Sequence, residues 1–139
     1  MRPTIAYGPG QAPDMFLPAL LRSLVDGNPF AMTHGEQTRD FLHIDDLVRG
    51  ILRASTAPDA GNLIVNLGSG KSIPIRQAAE IAMAVTGTQD LLLLGSTQLR
   101  IGEAVSYAVD LSRAREVLGW EARVPLEIGL LEMARDLRM

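Results

Sequence analysis

Two short apolar runs, each stopped by a glycine-rich turn, constrain this chain most. Thr4-Ile5-Ala6-Tyr7 ends at Gly8-Pro9-Gly10, and Leu63-Ile64-Val65-Asn66-Leu67 ends at Gly68-Ser69-Gly70. Runs of four to eight apolar residues bounded by turns read as strands buried on both faces. Such strands need helices to cover them, and the sequence supplies helices between and after them. Leu17, Leu20, Leu21, Leu24 and Val25 recur at helical spacing over about 14–26, with Gly27 as a stop. Asp45 reads as the cap of a helix to about Ser55, with Leu47, Val48, Ile51 and Leu52 facing inward. Pro74 opens a third helix to about Thr86, with Ala78, Ala79, Ala82 and Val85 inward. Asp110 caps a short helix ended by Gly119. Leu126, Leu130, Met133 and Leu137 mark a last one. Phe30–Thr33, Asp40–Ile44 and Leu91–Leu94 read as further strands. Alternation of this kind predicts an α/β or mixed α+β layered fold over residues 1–139.

Composition narrows the function. The chain has 139 residues, 47% hydrophobic and 21% charged, which excludes disorder. Thirteen basic and 16 acidic residues give a net charge of −3, without the basic excess of a nucleic-acid binder. No apolar run reaches the ~20 residues of a membrane span. No cysteine is present, so disulfide and thiolate-metal chemistry are excluded and a cytoplasmic setting is the default expectation. The basic residues are 12 arginines and one lysine, Lys71.

Several tempting motifs fail on spacing. Gly68-Ser69-Gly70-Lys71-Ser72 imitates a phosphate-binding loop, but the glycine required five residues before Gly70 is Val65. Gly8-Pro9-Gly10 imitates a dinucleotide fingerprint, but its third glycine position is Pro13. His34 and His43 have no acidic cluster at ligand spacing, so no metal site is expected. Asp45 and Asp46 read as helix-start charges. Arg39 and Arg100 stand in or beside loops at strand ends. Each reads either as a solvated charge or as the planar fork that holds a phosphate.

Taken together, four segments resemble the nucleotide-sugar epimerases and dehydratases of the extended short-chain dehydrogenase/reductase group. They are Arg2-Pro3-Thr4-Ile5-Ala6-Tyr7-Gly8-Pro9-Gly10, Gly35 to Leu47 around Arg39-Asp40-Phe41, Asn66-Leu67-Gly68-Ser69-Gly70, and Arg100-Ile101-Gly102-Glu103 with Asp110 and Leu118-Gly119-Trp120. The resemblance implies the C-terminal substrate-binding lobe, plus the last strands and helix of a Rossmann-type sheet. NAD or NADP is the implied cofactor, and a nucleotide-diphosphate sugar the implied ligand. The sugar would be transiently oxidised by the dinucleotide and re-reduced after epimerisation or dehydration. Arg39 and Arg100 would grip the substrate diphosphate. The backbone of Phe30, Ala31 and Met32 would lie along the base, and Tyr7, Gly8 and Pro9 near the cofactor. Two positions depart from the pattern: Ile5 stands where Asn is common, and Met15 where a polar phosphate contact is common.

The Tyr-x-x-x-Lys pair of the family is not found. Tyr7 is followed four residues on by Gln11, Tyr107 by Leu111, and Lys71 is preceded by Leu67. The expectation is a substrate-binding half without its own redox chemistry. It would be self-associated, or paired with a separate dinucleotide-binding part. A non-catalytic nucleotide-sugar binding module and an oligomeric scaffold are the alternatives.

Overall fold

The computed structural model describes residues 1–99, 102, 104–106 and 108–138, without the side chain of Asp59. Arg100 and Tyr107 therefore lie outside the described residues.

Among the described residues, seven short strands and five α-helices are interspersed. They are β1 (Arg2–Pro3), β2 (Ile5–Tyr7), α1 (Phe16–Val25), β3 (Phe30–Met32), β4 (Thr38–His43), α2 (Ile44–Thr56), β5 (Asn66–Leu67), β6 (Ser72–Pro74), α3 (Ile75–Thr86), β7 (Leu92–Leu94), α4 (Ser112–Leu118) and α5 (Leu126–Asp136). β1 pairs with β5, β2 with β4 and β3 with β7, all parallel. β6 adds to β4 antiparallel. The fold is thus mixed α/β with parallel strand pairs, as the alternation predicts. β3 and β4, consecutive in sequence, belong to different sheets.

The register of β4 sorts its side chains between two cores. Ile5 lies opposite Phe41, Tyr7 opposite His43, and Ile73 opposite Arg39. Paired residues share a sheet face, so these six look one way. That face meets α1, α3 and α5 in a core of Leu20, Leu21, Leu24, Ala78, Ala82, Leu130 and Met133. The alanines of α3 let the helices approach closely. Leu42 looks the other way, into a second core with Val65, Leu67, Leu118 and Trp120.

The structure corrects the reading of α2. Leu47 is half-buried against the second core, but Val48, Ile51 and Leu52 are exposed at 46, 46 and 62%. The buried side of α2 carries Asp46 and Gly50 instead. Gly50 sits so close to the sheet that a Cβ there would lie 2.8 Å from Leu67 Cδ1. The Asp46 carboxylate accepts from the Arg123 and Val124 amides at 2.8 and 2.9 Å and pairs with Arg49. Its carbonyl accepts from Trp120 Nε1 at 3.1 Å. Close approach and a polar clamp, rather than the apolar stripe, fix which side of α2 turns inward.

The N-cap of α2 is also displaced by two residues. His43 takes that place, its Nδ1 accepting from the Asp45 amide at 3.4 Å. At α4 the N-cap is Leu111, one residue after the expected Asp110, whose carboxylate accepts from the Ser112 amide at 2.9 Å and its hydroxyl at 2.7 Å just ahead of the helix. Those bonds hold the Asp110 carboxyl below the ordinary carboxylate range. The expected strand Leu63–Leu67 shortens to Asn66–Leu67, and Leu63 and Ile64 are exposed.

Candidate functional site

A cavity of about 300 Å³ opens between β2, α1 and β3. Phe30, Ala31 and Met32 line it from one side and Arg39 from another, so four of the sequence-predicted site residues share one wall system. Their placement follows from local structure. β3 is held on β7 and by the Phe30 amide donating to the Leu91 carbonyl at 2.7 Å. Arg39 alternates with Asp40 on β4 and therefore looks into the helical side of the sheet.

The electrostatics are simple. Arg39 is the single charged residue among the described residues lining this cavity, and Ile5, Met15, Phe16 and Phe41 make much of the rest apolar. Its Nη1 donates to the Thr38 and Ala104 carbonyls, both at 2.8 Å. A guanidinium braced by two carbonyls keeps its fork in one orientation, which suits an anionic group set in apolar surroundings. Both departures from the family pattern, Ile5 and Met15, fall on this same wall.

Tyr7, Gly8 and Pro9 do not line the cavity. Tyr7 stands behind Phe41, edge to face with it at 6.3 Å and with His43 at 5.3 Å. It is buried, its hydroxyl has no hydrogen-bond partner among the described residues, and burial pushes its phenol well above the ordinary value. The charges of Asp46, Glu127 and Glu132 push it further the same way. Gly8 packs where a Cβ would meet Ile44 Cγ2 at 2.5 Å, and Pro9 is exposed. His43 Nε2 lies 3.4 Å from Glu132 Oε2. No group of three His, Cys, Asp or Glu residues among those described could hold a metal ion.

Asp40 is the residue that the sequence reading missed. Its carboxylate accepts from the Ser69 amide at 2.7 Å, the Gly70 amide at 3.1 Å and the Thr4 hydroxyl at 3.3 Å. The glycine turn that imitates a phosphate loop is thus filled by an internal carboxylate. Gly68 is obligatory there, since a Cβ would lie 2.7 Å from Asp40 Oδ2. An acidic residue directly before the buried Phe41-Leu42 pair of β4 was the available signal.

A dinucleotide needs a glycine-rich turn whose free amides open a helix under its pyrophosphate. Neither turn of this chain fits. The amides of Ser69 and Gly70 are spent on Asp40, and the turn leads into β6 rather than a helix. Gly8-Pro9-Gly10 is followed by Pro13 and does not open α1 directly.

An α/β unit with parallel strand pairs and an apolar cavity bearing one braced arginine is the class of structure these residues build. Comparison with known proteins makes the class specific. Residues 1–68 match the model of the NAD dependent epimerase/dehydratase family. UDP-glucuronate 4-epimerase of Thermodesulfobacterium geofontis is 34% identical over 129 residues, covering 89% of this chain and 38% of that protein. The solved structure of MoeE5 in complex with UDP-glucuronic acid and NAD is 34% identical, with a TM-score of 0.87 over 99% of this chain and 46% of its own. That of UDP-glucose 4-epimerase with UDP-glucose from Thermotoga maritima is 28% identical, with a TM-score of 0.89 over 99% and 44%. The chain belongs to the NAD-dependent epimerase/dehydratase family of nucleotide-sugar enzymes, within the short-chain dehydrogenase/reductase fold. It spans about two fifths of the length of the relatives it matches.

Proposed function

We propose that this chain is the nucleotide-sugar-binding half of an NAD(P)-dependent epimerase or dehydratase. The observation that supports this most is the meeting of Phe30, Ala31, Met32 and Arg39 on one cavity of about 300 Å³. In this reading the edge of β3 lies along the nucleotide base, and Arg39, with Arg100, neutralises the diphosphate. Ile5 and Met15 make the remaining wall apolar, so the sugar is held by shape more than by hydrogen bonds. The chain contributes binding and orientation. Redox chemistry belongs to a dinucleotide-binding part that these residues do not build.

The same reading gives the exposed apolar residues of α2 a use. Val48, Ile51, Leu52 and Ile64 form the surface that docks on that dinucleotide-binding part or, without it, on a second copy. Titration calorimetry with UDP-, dTDP- and GDP-sugars tests the binding role. One of them binds, and Arg39→Ala weakens it roughly tenfold or more. Failure of all three to bind, or an Arg39→Ala chain that binds as the parent does, overturns the assignment. Adding a separately expressed dinucleotide-binding half separates this from a non-catalytic binding module: NAD-dependent turnover appears only in the first case.

A further inference from the structure

A second cavity, of about 290 Å³, lies between β6, α3 and the segment leading into α5. Phe41 lines both cavities, but the charged residues here are different: Lys71, Arg123 and Glu127. Lys71 is the single lysine of the chain. Among the described residues neither its ammonium nor the Arg123 guanidinium has an acidic or carbonyl partner, whereas Arg49, Arg76 and Arg115 each pair with a carboxylate. Two cations on one concavity give it a positive potential that attracts an anion.

Their positions are set by the fold. Lys71 follows the turn that Asp40 holds through Ser69 and Gly70, and Ser69 Oγ further accepts from the Lys71 amide at 3.1 Å. Arg123 is fixed by its own amide, which donates to Asp46. Both cations therefore project from backbones anchored by buried carboxylates. Leu126 and Glu127, the first two residues of α5, line the same cavity; among the described residues their amides have no acceptor, and the helix start adds positive potential. Below the cations the wall is apolar, with Phe41, Ile73 and Ile81. The volume sits at the small end of the range for small-molecule pockets. Glu127 is the one carboxylate on the wall, and it leaves a net charge of one positive.

We propose that this cavity is a second ligand site, one that binds a small organic anion with a ring-sized apolar body and a carboxylate or phosphate head. The head lies between Lys71 and Arg123, and the body rests against Phe41, Ile73 and Ile81. The site shares Phe41 with the first cavity but does not rest on the function proposed for it.

Amide chemical-shift mapping of the 139-residue chain with benzoate, phenyl phosphate and benzyl alcohol tests the site. Benzoate and phenyl phosphate share the ring and differ in the head; benzyl alcohol carries the ring alone. The anions shift the amides of Ser69, Gly70, Lys71, Val124 and Leu126, and the one that binds tighter identifies the head. The double variant Lys71→Gln, Arg123→Gln weakens them roughly tenfold, and Glu127→Gln tightens them. All three replaced residues are exposed, so unchanged dispersion of the remaining amides verifies the fold. The proposal fails if benzyl alcohol binds as tightly as benzoate. It also fails if the double variant binds like the parent, or if the shifts centre on Phe30 to Met32.

Discussion

The two faces of β4 do different work. Arg39, Phe41 and His43 look toward α1, α3 and α5, where the packing leaves cavities on both sides of Phe41. Asp40 and Leu42 look the other way, and both side chains are closed in by their neighbours. Asp40 is filled with three donors, and Leu42 is fully buried against Leu67 and Trp120. Alternation along one strand therefore separates open cavities from closed packing, at a spacing of one residue. The first face depends on the second, because the turn that Asp40 holds carries Ser69 and Lys71 to the cavity edge.

The widest test of that division replaces Asp40. Asp40→Ala leaves two backbone amides and a buried hydroxyl without their acceptor, and should cost about 3 kcal/mol in urea unfolding. Arg39→Ala, the next residue on the opposite face, should cost about 1 kcal/mol or less while weakening nucleotide-sugar binding roughly tenfold or more. Equal losses of stability from the two variants would break the comparison.

Tyr7 sharpens it on the cavity side. Its buried hydroxyl has no partner, so Tyr7→Phe should change stability by less than about 1 kcal/mol at neutral pH. The folded chain holds the phenolic proton above the ordinary value of 10.0, so the unfolded chain binds fewer protons beyond that pH and stability falls as pH rises. Tyr7→Phe removes that part of the alkaline loss. Thermal melts of both chains at neutral and alkaline pH measure it. A parent phenol that ionises in the folded state near the ordinary value would contradict it.

The smallest effect is expected outside both cores. Ile51→Glu with Leu52→Glu should shift the stability of the monomer by about 0.5 kcal/mol or less. Sedimentation velocity should show the 15.0 kDa parent chain self-associating and this variant not. Identical sedimentation of the two would show that the exposed face of α2 meets nothing in solution.

Much of this fold was legible in the residues. α1 and α3 follow their apolar spacing, and Gly87 and Gly119 end α3 and α4 in the left-handed conformation expected of terminal glycines. The apolar stripe of α2 was equally clear and pointed the wrong way. Periodicity reports that a face is apolar, and not which side meets this chain's own core. The deciding features were Gly50, whose missing Cβ admits Leu67, and Asp46, whose donors come from residues 77 and 78 positions away. β6 was unreadable because Ser72-Ile73-Pro74 is three residues long and exists only as the partner of β4. At the site, Phe30, Ala31, Met32 and Arg39 were placed by resemblance, and the geometry brings them together. Asp40 was passed over because a charge beside an arginine reads as surface until its three donors are seen.

In the proposed function, the cavity between β2, α1 and β3 holds a nucleotide sugar. Amide chemical-shift mapping during titration with UDP-glucose, UDP and glucose tests this. Saturable shifts are expected at Phe30, Ala31, Met32 and Arg39 with UDP-glucose and UDP, and none with glucose alone. Shifts confined to the surface of α2, or absent with both nucleotides and with dTDP- and GDP-sugars, would contradict it.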